Sequence, residues 1–438
     1  MKNNTILSVL NEGLCRGCGT CIALCPKNAI ILTKTDKKDI FMPKLNLKNC
    51  SNCGICLNVC SGLGIDFKKL NLNVFGEEHK KSVIGTNVNC YTGYSKDIEI
   101  RLNSSSGGLV TQILIFALEK GIIDGALVTM MNRENPVEPE SFIARTKEEV
   151  IGASKSKYCP VPANVALKEI LNAPDNEKFA VVGLPCHIHG IRKAELINKR
   201  LKDKIIFHLG IFCHHGTNFD GTNFFIDRMN LDKNKITKLE YRGDGWPGNF
   251  KVILNDKEVK KDLFFFFFLF PSIYFFTPKR CFMCSDALNE LADMSFGDAW
   301  LPRIQEKDNI GTSMIISRTK KGDQLLRKLK KEDNIELDFC KKSEVIESQR
   351  SAIYFKKKNL NARKRILDSL GMSFAWDNTY LMEPDVLDYV FAILIYIHNF
   401  LSSFKLIQKI SILIPIMLIK GYHYLFYRFI NSRNLLKK

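Results

Sequence analysis

The sequence predicts an α/β domain with a mainly parallel sheet, preceded by a small α+β module and followed by a helical tail. Three observations carry this reading. Eight of the fifteen cysteines fall in two compact runs between Cys15 and Cys60. Strand-like runs alternate with helix-like runs from about residue 98 onward, as in a parallel sheet covered by helices. From Tyr389 to Lys438 there is no acidic residue, while seven lysines and arginines are threaded through apolar stretches. The 438 residues suffice for two or three domains, and we divide them at 1–70, 71–97, 98–380 and 381–438.

The first module reads Cys15-x2-Cys18-x2-Cys21-x3-Cys25-Pro26, then, after a 24-residue spacer, Cys50-x2-Cys53-x2-Cys56-x3-Cys60. Three cysteines two residues apart can wrap one iron-sulfur cubane, while the fourth, set off by a wider gap, reaches the neighbouring cluster. This is the two-cluster bacterial ferredoxin arrangement. It assigns Cys15, Cys18, Cys21 and Cys60 to one [4Fe-4S] cluster and Cys50, Cys53, Cys56 and Cys25 to the other. Zinc is the competing metal, but a zinc site wants two separated pairs and has no use for the doubled spacing. Gly17, Gly19 and Gly54 stand where backbone amides must approach the sulfurs. The second run ends Cys60-Ser61, without the proline that follows Cys25. The spacer, Ile30 to Leu47, alternates apolar and polar residues about Lys37-Lys38-Asp39 and predicts a hairpin. Asn71 to Val88 is polar and reads as a linker.

Fifteen cysteines, an odd number mostly in metal spacing, point to a reducing cytoplasm instead of disulfides. The N-terminus lacks the apolar core of a signal peptide. A net charge of +18 invites a nucleic-acid reading, yet no nucleic-acid module is found and the charge is spread along the chain. An acidic electron carrier, an anionic coenzyme or a membrane surface makes better use of it.

From Ile98 the texture changes. Arg101-Leu102-Asn103-Ser104-Ser105-Ser106-Gly107-Gly108 leads into a helix over Leu109–Leu118 that ends at Gly121. Such a start suits an anion, above all a phosphate, or simply a capped helix packed closely on a strand. Four buried strands follow, Gly125–Met130, Lys178–Gly183, Ile205–Phe212 and Ala292–Phe296. Cys186 and Cys213 fall at strand carboxyl ends, where parallel sheets bind ligands. Tyr241-Arg242-Gly243-Asp244-Gly245-Trp246-Pro247-Gly248 reads as a turn before a hairpin strand, Phe250 to Leu254. Its Trp246 could cover a flat ring or merely anchor the hairpin. Gly243-x-Gly245-x-x-Gly248 matches a dinucleotide fingerprint in letters only, because no helix follows it. The phenylalanine-rich run Leu263 to Phe270 reads as a core strand.

Of the seven remaining cysteines, Cys281-x2-Cys284 with Cys186 and Cys213 could hold a third [4Fe-4S] cluster, zinc or nothing. Cys90, Cys159 and Cys340 read as buried bystanders. His187, His189, His214 and His215 read as structural or supporting groups rather than proton donors. The basic, apolar tail fits helices lying on an anionic membrane surface, or a helical pair packed on the main domain or a partner.

Val182-Gly183-Leu184-Pro185-Cys186, the Arg101 to Gly108 turn, the Tyr241 to Gly248 turn, and Cys281-x2-Cys284 with Ala292-Asp293-Met294-Ser295-Phe296-Gly297-Asp298-Ala299-Trp300 together resemble the beta subunit of coenzyme F420 hydrogenases and dehydrogenases. The resemblance spans about Cys90 to Arg350. It implies FAD, a [4Fe-4S] cluster on Cys186, Cys213, Cys281 and Cys284, and hydride exchange between flavin and the 5-deazaflavin coenzyme F420. Ser104, Ser105, Ser106, Gly107 and Gly108 would cradle the flavin pyrophosphate, with Arg101 and Lys157 as charge partners and Trp246 beside the site. Implied partners are ferredoxin or a redox partner subunit. Two other readings remain: a ferredoxin-dependent flavin reductase of another substrate, such as a sugar or lipid precursor, and a non-catalytic electron-transfer subunit. The protein is expected in the cytoplasm, with its tail at the inner membrane face as the alternative to a wholly free state.

Overall fold

A computed structural model describes residues 4–35, 40–78, 82–255, 257–262, 274–372, 374–433 and 435. The hairpin tip at Lys37-Lys38-Asp39 and the run Leu263 to Phe270 lie outside the described residues. In the N-terminal module the alternating spacer forms the expected antiparallel hairpin, β1 (Ile30–Thr35) and β2 (Ile40–Leu45), with Ile30 opposite Leu45. Each cysteine run contains a four-residue helix, Thr20–Ala23 or Ile55–Asn58, headed by a left-handed glycine, Gly19 at φ +90° or Gly54 at φ +75°. Only glycine takes that conformation without strain. A Cβ on Gly19 would also stand 2.7 Å from the Val165 backbone nitrogen, so this glycine seats the module against the remaining chain.

The segment 71–97 is not a linker. The helix Phe67–Phe75 runs into it, and β3 (Asn89–Ser95) is a strand of the main sheet. Its polarity misleads because the polar groups satisfy one another: Thr86 Oγ1 donates to the buried Asn71 Oδ1 at 3.1 Å. The large domain therefore begins before residue 98.

The main sheet adds β4 (Gly125–Met131), β5 (Pro139–Ala144), β6 (Phe179–Gly183) and β7 (Ile205–Ile211). A separate three-stranded antiparallel sheet holds β8 (Ile236–Glu240), β9 (Asn249–Leu254) and β10 (Lys257–Asp262). β11 (Met294–Asp298), β12 (Ser313–Ser317) and β13 (Ile335–Phe339) complete the main sheet in the order β13-β3-β12-β11-β7-β6-β4-β5. This sheet is mixed rather than mainly parallel. β4, β6, β7 and β11 run parallel at its centre, whereas β5, β12, β3 and β13 join by antiparallel pairing. The four strands legible in sequence are the parallel ones, buried on both faces. The connection from β4 to β5, residues 132–138, is too short for a parallel crossover. β11 starts two residues later than read and takes in Gly297 and Asp298.

One face of the sheet is covered by the helices Leu109–Glu119 and Lys320–Lys331, which bring Ile113, Phe116, Leu326 and Leu329 into one core with Val128 and Phe296. On the other face the helix Pro185–Glu195 and the cysteine module share a core, Val9, Leu14, Val59 and Phe67 lying with Val181, Ile188 and Ile191. Residues 1–70 are thus built into the large domain's core. The tail forms helices Val386–Ser402, Lys405–Leu413 and Ile416–Ser432, and buries Phe391, Ile395, Phe426 and Ile430 against Tyr354 and Ile353. Of the two sequence readings, packing on the main domain holds for this inner face. Among the described residues no single helix is long and apolar enough to cross a membrane.

Candidate functional site

The eight cysteines of the module surround two cavities. Cys15, Cys18, Cys21 and Cys60 line one, and Cys25, Cys50, Cys53 and Cys56 line the other. The grouping is that expected from the spacing, the fourth cysteine of each run reaching across to the other set. Backbone amides donate to the sulfurs: Gly17 N–H to Cys15 at 3.3 Å, Ala29 to Cys25 at 3.3 Å, Asn52 to Cys50 at 3.4 Å and Gly62 to Cys60 at 3.2 Å. Burial pushes the Cys15 thiol up to about 12 and Cys60 to about 11, so thiolates here need a positive charge close by. Among the described residues no group of three or more His, Cys, Asp or Glu could hold a single ion. Four thiols around one cavity suit an iron-sulfur cubane.

Cys21 feels Cys56 across the gap between the two sets. Cys53 is exposed while Cys21 and Cys60 are buried, so the second set forms the outer end of the module.

Cys186, Cys213, Cys281 and Cys284 converge at the carboxyl edge of the parallel strands. The break after β6 places Cys186 in the first turn of Pro185–Glu195, and the end of β7 places Cys213, whose N–H donates to Ala287 O at 2.9 Å. Cys281 sits in the 3-10 helix Lys279–Met283, with Cys284 directly after it. Burial pushes the Cys213 thiol up to about 11, and Lys356 opposes that rise while Cys281 and Cys284 add to it. Burial also raises Cys186, where Arg16 opposes and Cys18, Cys213 and Cys281 reinforce. Cys186 therefore borders the Cys15 set as well as its own.

Two cations that sequence reading passed over stand among these thiols. Arg16 comes from the module, between Cys15 and Cys18, and its Nη1 is buried with no hydrogen-bond partner among the described residues. Burial disfavours its charge, yet Cys281, Cys186 and Cys213 hold it protonated. Lys356 donates to Cys284 Sγ at 3.4 Å and to Asp286 O at 2.7 Å. It lies in the buried π-turn Tyr354–Lys358. A run of three lysines ordinarily reads as a solvated face, and no local signal distinguishes this one. A lone guanidinium nitrogen buried beside four cysteines is costly and calls for an anionic group in the space it faces.

The structure gathers the turn residues at the same edge but commits their side chains to protein partners. Arg101 donates to Gly311 O at 2.7 Å and Asp308 at 3.0 Å, and lies over the Tyr94 ring. Ser104 donates to Ile100 O, Ser106 to Thr312 O, and Ser105 accepts from Ser156 N–H. Gly107 N–H donates to the Ser313 hydroxyl at 3.0 Å, and a Cβ there would stand 2.5 Å from Gly93 O. Gly108 heads the helix Leu109–Glu119 at φ +75°. Close packing on the sheet thus explains both glycines, and the free donors are the N–H groups that open the helix. Lys157 Nζ points at the carbonyls of Ala153, Ser154 and Lys155. Trp246 Nε1 donates to Asp298 at 2.9 Å, its ring lies 4.6 Å from that of Trp300, and Arg242 pairs with the same Asp298.

The four histidines bond to protein groups, His214 to the Tyr274 hydroxyl at 3.1 Å and His215 to the Thr277 hydroxyl at 3.1 Å. His187 accepts from Leu184 N–H at 3.2 Å and His189 bonds Asp286 at 2.8 Å. Sequence reading missed a buried network beneath the Cys186 helix, in which His208 bonds Glu195 at 2.7 Å and Asp293 at 3.0 Å, and Arg192 reaches both carboxylates.

Comparison with known proteins bears on this arrangement. Residues 90–168 match the model for the N-terminal part of the coenzyme F420 hydrogenase/dehydrogenase beta subunit, residues 176–342 the model for its C terminus, and residues 14–61 a 4Fe-4S dicluster domain. The chain is 30% identical over 249 residues to the coenzyme F420 hydrogenase subunit beta of Methanothermobacter thermautotrophicus, covering 56% of this chain and 82% of that protein. It is 27% identical over 388 residues to the coenzyme F420-dependent sulfite reductase of Methanocaldococcus jannaschii, covering 85% of this chain but 54% of that relative. The coenzyme F420 hydrogenase subunit beta of Methanosarcina barkeri is 27% identical over 250 residues, with 56% of this chain and 79% of that protein covered. Among solved structures, a chain of the F420-reducing [NiFe] hydrogenase complex from Methanosarcina barkeri has the same fold, with a TM-score of 0.52, 23% identity, and 67% of this chain and 97% of that chain covered.

Proposed function

The chain belongs to the family of coenzyme F420 hydrogenase/dehydrogenase beta subunits, an iron-sulfur oxidoreductase or electron-transfer lineage, and from that premise we propose that it exchanges hydride with the 5-deazaflavin coenzyme F420 through FAD and passes single electrons through [4Fe-4S] clusters to or from ferredoxin or a partner subunit. The observation that carries the reading is the Arg16 nitrogen, without a hydrogen-bond partner among the described residues, sent by the cysteine module toward Cys186, Cys213 and Cys281.

In this reading Cys15, Cys18, Cys21 and Cys60 hold one cluster, Cys25, Cys50, Cys53 and Cys56 the second, and the four cysteines at the sheet edge the third. The amide donors on the sulfurs and the cations Arg16 and Lys356 suit an anionic cubane, since both stabilise negative charge on it. Adjacency through Cys21 and Cys56, then Cys18 and Cys186, supports a line of three centres running from the exposed Cys53 inward. The outer set is where ferredoxin or a partner subunit would meet the chain.

FAD suits the donor chemistry at the sheet edge. The N–H groups opening Leu109–Glu119, with Ser104, Ser105, Ser106, Gly107 and Gly108 around them, would hold its pyrophosphate. Arg101, paired with Asp308, and Lys157, whose ammonium burial lowers to about 7, stand behind that turn, and Trp246 with Trp300 gives an aromatic wall. When bound, FAD supplies the conversion between hydride and single-electron transfer that deazaflavins and clusters do not share. The chain's part is to orient the two ring systems and keep water from them. No side chain is required as acid or base, and none is named.

A second reading, a non-catalytic electron-transfer subunit whose active site lies on a partner, is favoured by the inward commitment of Arg101, Lys157 and the serine hydroxyls. One anaerobic experiment separates the two. The chain, with iron, sulfide and flavin loading verified, is mixed with oxidised coenzyme F420 and reduced ferredoxin, and the coenzyme's visible absorbance is followed. Flavin-dependent bleaching is the expected result. A fully loaded chain that leaves the coenzyme coloured would overturn the hydride reading in favour of the second.

A further inference from the structure

The tail helices bury one face and leave the other exposed and apolar. Leu406, Ile410 and Leu413 recur at i, i+4 and i+7 along Lys405–Leu413, exposed by 70%, 53% and 80%. Met417 and Leu418 continue the pattern on Ile416–Ser432, at 80% and 66%. An apolar stripe of this extent on the outside of a folded chain marks a surface that is covered by something. The inner faces are tied down, so the stripe does not fold back: Arg228 donates to the carbonyls of Ser411, Ile412 and Ile414, and Lys405 pairs with Asp220 at 2.5 Å. Ile407, Ile412, Ile416 and Ile419 pack on the core beside the three-stranded sheet.

Charge identifies what covers the stripe. The exposed Lys409 and Arg428 lie on the same two helices, and residues 389–438 contain no acidic group. A second copy of this chain would bring cations against cations across a two-fold interface. A bilayer with anionic headgroups instead offers an apolar boundary and negative charge in one plane. The pair Val386–Ser402 and Lys405–Leu413 is together long and apolar enough to span but is bent by 100°, and the first helix buries Phe391 and Ile395 in the core of the main domain, which leaves the outer stripe to lie along a surface.

We propose that the C-terminal helices dock this protein on an anionic membrane surface, with Leu406, Ile410, Leu413, Met417 and Leu418 entering the headgroup boundary and Lys409 and Arg428 meeting lipid phosphates. The inference is independent of the coenzyme and of the metal centres.

The test is flotation of the full chain with vesicles of phosphatidylcholine alone or mixed with phosphatidylglycerol. The expected result is flotation with the mixed vesicles only, weakening as salt rises. Combined Lys409→Gln and Arg428→Gln should lower partitioning roughly 30-fold, from about 1 kcal/mol per cation. Combined Leu413→Ser, Met417→Ser and Leu418→Ser should abolish flotation while leaving the circular dichroism and iron content of the chain unchanged, since these side chains touch solvent. A chain that stays at the bottom of the gradient with both lipids overturns the proposal. So does equal flotation with both, retention through an alkaline carbonate wash, which would mean a span, or a dimer in solution that Leu413→Ser dissociates.

Discussion

Arg16→Met tests whether the module and the sheet-edge cysteines form one electronic unit. A Cβ on Gly216 would collide with Arg16 Nη2 and stand 3.8 Å from Cys281 Sγ. The guanidinium and that sulfur are therefore no more than about 6 Å apart, and at an effective dielectric of about 20 two unit charges at that distance interact by about 3 kcal/mol. For one electron this is about 120 mV. The negative charge of a cubane is spread over its sulfurs, so the expected fall in midpoint potential is roughly 50–120 mV. The sign follows from charge: a cation stabilises the reduced, more negative state, and its loss makes reduction harder. The Cys15 set should move in the same direction, because Arg16 also favours the charged form of Cys15. The outer set should not, since Cys56 feels Cys50 and Cys53 instead, and it serves as the internal reference. The assay is an anaerobic redox titration followed by electron paramagnetic resonance, with iron content measured on each variant. Unchanged potentials, within about 20 mV, in a variant that keeps all its iron would refute the placement of Arg16 against the third centre.

Three further outcomes are expected. Cys213→Ser should lower bound iron by about a third, roughly four of twelve atoms, and leave the signals of the two module centres in place; unchanged iron would show that Cys213 is not a ligand. Gly190→Ala, which in an ordinary helix gains about 1 kcal/mol, should here cost about 1–3 kcal/mol, because its Cβ would collide with Thr20 Oγ1 across the module interface; urea unfolding gives the sign directly. Asp293→Asn should cost about 1.5–3 kcal/mol at neutral pH by removing one of the two carboxylates that buried Arg192 and His208 share, Glu195 keeping its contacts to both. Burial alone would raise the Asp293 carboxyl, but the hydrogen bond from His208 and the charge of Arg192 hold it well below the ordinary carboxylate range. Its stabilisation is thus complete above about pH 4 and drains away as pH falls through the depressed value. Denaturation midpoints from pH 7 downward should show a steeper acid loss in the parent chain than in the variant.

The cysteine runs were legible because their chemistry is local. Spacings of two and three residues dictate which sulfurs can face one space, and the cavities lined by Cys15, Cys18, Cys21, Cys60 and by Cys25, Cys50, Cys53, Cys56 follow those spacings. The parallel strands β4, β6, β7 and β11 were legible for a related reason, since strands covered on both faces are continuously apolar. The antiparallel strands of the main sheet were not: β3 hid in a polar stretch whose side chains satisfy one another, and β12 and β13 reveal themselves only by whom they pair with. Arg101, Ser104 to Gly108, Lys157 and Trp246 were legible as a group by resemblance. Which way Arg101, Ser106 and Trp246 turn was decided by Gly311, Thr312 and Asp298, at separations of 210, 206 and 52 residues along the chain.

By itself the sequence determined ligand spacing, the strands of the parallel centre and the charge of the tail, because each is a property of neighbours along the chain. Tertiary structure alone decided that Arg16 of the module faces Cys186, Cys213 and Cys281, that Lys356 is buried against Cys284, and that one face of the tail is covered while the other is bare. A charged side chain reads as solvent-facing until the fold supplies the groups that hold it, and those groups here come from segments far apart along the chain, 72 residues in the case of Lys356 and Cys284.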